Sequence, residues 1–102
     1  MAKIQKNKFG SALKELRSVN GLSIKQISSK LDVNYSYISK LENNKSNPSE
    51  GFIAKLAELF ECDKEELMLK AGKIPPDLLE ILVNNPKKAA TFLRKQFTEN
   101  EY

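Results

Sequence analysis

Tyr35, Ser36, Ser39 and Lys40 share one side of a short segment with helical spacing. They are hydrogen-bonding residues with a single charge among them. Such a face is an odd choice for meeting only water and a natural one for touching base edges. The other side of the segment carries an apolar stripe, Ile38 and Leu41. Catalytic chemistry finds no comparable constellation. There is no His, so the lone cysteine, Cys62, has no imidazole to activate it. No Gly-rich phosphate loop and no cluster of metal ligands appears. Glu65 and Glu66 are adjacent, so on a helix they diverge and cannot share a site. The chain reads as a non-enzyme with no cofactor and no metal.

The elements that must hold that face lie in Leu22 to Glu42. Ser23 is a suitable N-cap for a helix over Ile24–Leu31, with Ile24, Ile27 and Leu31 on one face. Asp32 and Val33 form a tight turn, and Asn34 caps the second helix. Before this pair, Phe9–Asn20 forms a helix with Phe9, Leu13, Leu16 and Val19 as its stripe, and Gly21 ends it in a left-handed cap. Arg17 adjoins that apolar stripe, so it needs either a carboxylate or a path to water.

Beyond Glu42, Asn43 and Asn44 are helix enders. Pro48 punctuates the loop and Ser49 caps a helix over Glu50–Phe60, with Phe52, Ile53, Leu56, Ala57 and Phe60 inward. Cys62 is read as a small buried hydrophobe. Asp63 caps a fifth helix, Lys64–Ala71, whose Glu65 and Glu66 suit the positive helix start and whose Leu67 faces the core; Gly72 ends it. That closes a unit of five helices over residues 1–72.

Residues 73–102 differ. Ile74-Pro75-Pro76 is a rigid connector. Asp77–Asn84 is apolar over most of its circumference, Asn85 caps the next helix with Pro86 at its first position, and Pro86–Phe97 carries Ala89, Phe92, Leu93 and Phe97. So apolar a hairpin must fold back on the five-helix unit or meet a copy in another chain. Residues 1–8 are read as a flexible arm and Thr98–Tyr102 as a frayed tail.

Charge is partitioned along the chain. Residues 1–47 carry nine Lys and Arg against three Asp and Glu, whereas residues 48–72 carry three against six. The positive field therefore surrounds the two-helix stretch. It suits a polyanion, although a Lys-rich solvated surface has the same composition. No apolar run approaches the roughly 20 residues of a membrane span. The first residues lack the apolar core of a secretory signal, and a single cysteine fits a reducing cytoplasm.

Over Phe9 to Ala71 the chain resembles the helix-turn-helix regulators of the lambda repressor, Cro and Xre type. LKELRSVNGLS, YSYISKLENNKSNPS and IAKLAELFECDKEELM carry the likeness, the second most of all. The resemblance implies an all-α, five-helix lambda-repressor-like domain followed by a two-helix extension, acting on a double-stranded DNA operator. It pairs Arg17 with Glu42 as a structural ion pair. It makes the helix Tyr35–Asn43 the reading helix, with Asn34, Tyr35, Ser36, Ser39 and Lys40 at the bases. Ser23, Lys25, Tyr37, Asn43 and Lys45 are then the phosphate contacts, Tyr37 also being the more structural of the two tyrosines. Three positions depart from the family pattern: Ile24 replaces a usual Gln, Ser28 a usual Ala, and Asp32 a common turn Gly.

The resemblance does not reach residues 73–102. Regulators of this kind often append a dimerising segment, which makes Leu78, Leu79, Leu82, Phe92, Leu93 and Phe97 the expected homodimer interface. The implied function is a dimeric repressor on a near-palindromic site, in the cytoplasm of a bacterium or encoded by a phage or plasmid. The alternative is an antitoxin or adaptor that binds a protein partner, a toxin or another regulator, through residues 73–97 and uses DNA binding for autoregulation.

Overall fold

The computed structural model describes residues 8–98, all helix and connection with no strand among them. Residues 1–7 of the arm and 99–102 of the tail lie outside the described residues, and Lys8 is tied by its amide to the Lys70 carbonyl. Seven helices follow in order: α1 (Phe9–Val19), α2 (Ile24–Leu31), α3 (Tyr35–Glu42), α4 (Glu50–Phe60), α5 (Lys64–Lys70), α6 (Pro76–Asn84) and α7 (Pro86–Phe97). None is long and apolar enough to cross a membrane.

Local chemistry sets the starts. Ser23, Asn34, Ser49 and Asp63 each accept a hydrogen bond from an orphan amide of the helix that follows. At Ser23 the cap is reciprocal, because Gln26 Oε1 accepts from the Ser23 amide in turn. The stops are equally uniform. Gly21, Asp32, Asn44, Glu61 and Gly72 all take positive φ, between 51° and 77°. In each case the amide after the left-handed residue closes back onto a carbonyl five residues earlier: Leu22 to Arg17, Val33 to Ser28, Lys45 to Lys40, Cys62 to Ala57 and Lys73 to Met68.

The core is a single cluster from α1 to α5, built on Phe9, Leu13, Ile27, Leu31, Ile38, Leu41, Phe52, Ile53, Leu56, Ala57, Leu67 and Met68. Two inward assignments need correction. Val19 is 78% exposed, because α1 ends there and the chain reverses at Gly21, leaving nothing over it; Ala12 completes the stripe instead. Cys62, just beyond α4, is only half-buried, while Phe60 in the last turn of α4 packs against the core as a half-buried residue. Burial still pushes the Cys62 thiol pKa above its ordinary value, and the nearby Glu66 carboxylate adds to this.

The hairpin of α6 and α7 stands off this core. Its helices pack on each other, and neither contains a fully buried residue. The radius of gyration, 16.0 Å, exceeds the roughly 13 Å of a compact chain this long. Asn85 does not cap α7 as expected; its side-chain amide donates back to the Ile81 carbonyl and finishes α6 instead. Between the two helices runs a groove of about 510 Å³, lined by Leu78, Ile81, Leu82, Ala89, Phe92 and Leu93 and continued by Leu69 and Ile74. Leu79 and Phe97 are exposed and do not line it.

Candidate nucleic-acid interface

α3 divides its eight residues between two tasks. Ile38, Leu41 and Glu42 are buried against the rest of the domain. Tyr35, Ser36 and Lys40 are exposed, Asn34 precedes them in the open, and Ser39 is half-buried. The helix packs mainly on α1 and α2. Its outward face is therefore a ridge of polar groups on a supported rod, about 12 Å long at 1.5 Å per residue.

Arg17 supplies much of that support. Its Nε donates to Glu42 Oε2 at 2.7 Å and its second terminal nitrogen to Glu42 Oε1 at 3.1 Å, a bidentate pair. The remaining nitrogen donates to the Leu22 carbonyl at 3.1 Å. One guanidinium thus joins α1, the entry to α2 and the end of α3. The side chains are 19% and 3% exposed, so the pair is largely screened from water. The Glu42 hydrogen bond raises the Arg17 pKa above its ordinary value, outweighing the opposing effect of burial.

The cap of α3 engages two of the proposed base readers. Asn34 Oδ1 accepts from both the Ser36 amide, at 2.9 Å, and the Ser36 hydroxyl, at 3.0 Å. Asn34 consequently has its amide nitrogen to offer a base, and Ser36 an oxygen lone pair. Tyr35 and Lys40 project without such ties.

Tyr37 has a different setting from Tyr35. Its ring meets Phe52 edge-on at 5.3 Å, and its hydroxyl oxygen accepts from the Ser49 amide at 3.3 Å. It braces the loop after α3 against the start of α4, leaving its hydroxyl proton as a donor. Asn43 uses its amide nitrogen on the Ser39 carbonyl at 2.8 Å. Lys45, held by its amide on the Lys40 carbonyl at 2.8 Å, is exposed, as are Ser23 and Lys25 across the turn. The Ser23 amide is spent on Gln26, so an anion there would meet the following amides of α2.

The departures from the family pattern are accommodated locally. Asp32 occupies the left-handed turn, at φ 54°. Ser28, buried, donates its hydroxyl to the Lys25 carbonyl one turn back at 2.9 Å. Ile24 is half-buried and packs on the core. Gly10, which carries no signal in the sequence, lies directly against the end of α3.

Comparison with known proteins agrees with the fold. A family model described as a helix-turn-helix domain matches residues 10–73. The HTH-type transcriptional repressor RghR of Bacillus subtilis is 39% identical over 67 residues, covering 65% of this chain and 50% of that protein. The chain spans about half the length of the curated relatives it matches. Among solved structures, the restriction-modification controller protein C.AhdI of Aeromonas hydrophila is similar at 35% identity and a TM-score of 0.55, over 59% of this chain and 91% of that one. SinR of Bacillus subtilis, solved in complex with DNA, is similar at 30% identity and a TM-score of 0.55, over 59% of this chain and 97% of that one. With a matching family model over most of its length and the turn-linked α2 and α3 in place, the chain belongs to the helix-turn-helix family of lambda repressor, Cro and the Xre regulators.

Proposed function

We propose that the chain is a sequence-specific DNA-binding transcriptional regulator, a repressor acting as a homodimer on a near-palindromic operator. The observation that carries this reading is the exposed polar face of α3 on a helix tied down by Arg17 and Glu42. A major groove admits one helix, whose early residues reach base edges. Lys40 donates to guanine O6 or N7, the Tyr35 ring meets a thymine methyl, and Ser36, Ser39 and the Asn34 amide take the remaining edges. Ser23, Lys25, Tyr37, Asn43 and Lys45 meet phosphates on either side, and they set register rather than sequence. A solved complex of the similar protein SinR with DNA supports the docking.

The second copy is assigned to the groove between α6 and α7, where Leu78, Leu82, Phe92 and Leu93 leave apolar surface in water. A two-fold dimer would place two α3 helices about 34 Å apart, one turn of DNA. The same groove supports a second reading, in which a helix of a different protein fills it and DNA binding serves autoregulation. Selection from a random duplex pool tests the first reading, since it returns both half-site and spacing. A pool that yields no preferred sequence refutes it. Sedimentation of the full chain separates the two readings: a stable dimer supports self-association, and a monomer supports a foreign partner.

A further inference from the structure

Gly10, the second residue of α1, is buried against the C-terminal end of α3. A Cβ at this position would lie 2.5 Å from Asn44 Oδ1, 2.7 Å from the Leu41 carbonyl oxygen and 2.8 Å from the Glu42 carbonyl oxygen. Close carbon–oxygen contacts between packed backbones ordinarily run at about 3.3–3.6 Å. The Asn44 side chain can swing aside, but the two carbonyls belong to the backbone of α3. The Leu41 carbonyl is also engaged by the Asn44 amide at 3.2 Å, inside the turn that ends the helix. Room for a methyl group therefore requires one helix to shift by roughly 0.5 Å or more.

α1 is poorly placed to be the one that moves. Phe9, beside Gly10, is buried with its ring edge-on to Phe52 at 6.4 Å, and the Lys8 amide donates to the Lys70 carbonyl at 3.1 Å. The end of α3 is tied to α1 on its inner side by buried Leu41 and the Arg17–Glu42 pair, but has solvent on its outer side, where Asn43, Asn44 and Lys45 are exposed. Its start follows α2 after the short turn through Asp32 and Val33. A push on the Leu41 and Glu42 carbonyls therefore acts against the Arg17 tie and moves Lys40 and the following loop, which adjoin it, more than Tyr35 and Ser36 at the other end of α3.

We propose that Gly10 is a positioning residue for base recognition. Its missing side chain sets how closely the last turn of α3 approaches α1, and thereby where Lys40, Asn43 and Lys45 sit against a bound duplex. This rests on the reading of α3 as the base-reading helix. The displacement a methyl group would force, about 0.5 Å, matches the tolerance within which a binding constellation must be held.

The test uses the full chain and an operator selected from a random pool. Affinities for that operator and for a random duplex are measured for Gly10→Ala, Lys40→Ala, Ser36→Ala and the two double variants that contain Gly10→Ala. Gly10→Ala is expected to weaken operator binding about tenfold and random-duplex binding much less. Alanine favours helix over glycine, so a weakened α1 does not explain such a loss. The effect should shrink sharply when Lys40 is already alanine and persist in full when Ser36 is alanine. Equal losses on both duplexes, or simple additivity with Lys40→Ala, overturn the proposal. If circular dichroism shows Gly10→Ala unfolded, Gly10→Ala/Asn44→Gly removes the closest contact, keeps the two carbonyl contacts and is expected to show the same coupling. Unfolding of both variants overturns the proposal by making Gly10 a requirement of the fold alone. The reading of α3 fails separately, when Lys40→Ala leaves operator preference intact, and the positioning role falls with it.

Discussion

The Arg17–Glu42 pair makes an asymmetric prediction. Glu42 is the deeper partner, 3% exposed against 19% for Arg17. Arg17→Met would leave a buried carboxylate with neither of its two donors and the Leu22 carbonyl without its guanidinium. Breaking a buried pair from one side costs about 3–5 kcal/mol. Glu42→Gln keeps the shape and one acceptor, and the guanidinium it releases already touches water, so its cost is about 1–2 kcal/mol. Arg17→Met/Glu42→Leu leaves no charge stranded and should return to within about 1 kcal/mol of the parent. Urea titrations followed by far-ultraviolet circular dichroism measure all three. With a slope near 1–3 kcal/mol per molar for a small domain, Arg17→Met should lower the midpoint by at least about 1 M and Glu42→Gln by roughly a third as much. Equal shifts for the two single variants would refute the reasoning, as would a double variant less stable than Arg17→Met.

Asp32 and Glu61 hold left-handed conformations without glycine's freedom, at φ 54° and 51°. Glycine at either position should raise stability by roughly 0.5–1 kcal/mol, visible as a higher melting temperature, with no change expected in helical content. The raised pKa of Cys62 keeps the folded thiol protonated, so alkylation at pH 8 should run several-fold slower than in urea-unfolded chain, by mass spectrometry. The sign for stability follows: the unfolded thiol ionises first, so stability from this group is complete below its ordinary pKa of 9.0 and declines above it. Leu82→Glu places a charge in the α6–α7 groove and should convert a dimer to monomer by sedimentation while α1–α5 stay folded; an unchanged dimer would move the interface elsewhere.

Much of this architecture could be read from the chain because its signals are local. Ser23, Asn34, Ser49 and Asp63 announce helix starts by chemistry that acts within three residues. Gly21 and Gly72 announce stops in the same way, whereas Glu61 gives no sign that its backbone is left-handed. Val19 misled because helical spacing says which side a residue lies on but not whether anything covers that side. The part played by Tyr37 depends on Ser49 and Phe52, and a tyrosine in a helix does not declare such distant partners. Gly10 was the least legible. A glycine near a helix start is commonplace, and the reason for this one lies in the backbone of α3, about thirty residues on. The hairpin's apolar content was plain, but which of its residues line a groove between the helices was not, because that depends on how α6 and α7 pack on each other.

The division of labour within α3 bears on how such a protein can change its target. Ile38, Leu41 and Glu42 secure the helix, while Tyr35, Ser36 and Lys40 add little to that hold. Substitutions on the outer face are thus nearly free of folding cost, and under the proposed base-reading role of that face a population of sequences can wander among DNA preferences without passing through unfolded intermediates. Ser39 is half-buried and is the position where the two concerns meet, so it should accept the fewest alternatives. The scaffold behaves as a holder with an exchangeable edge, and its vocabulary can be rewritten while its grammar stays fixed.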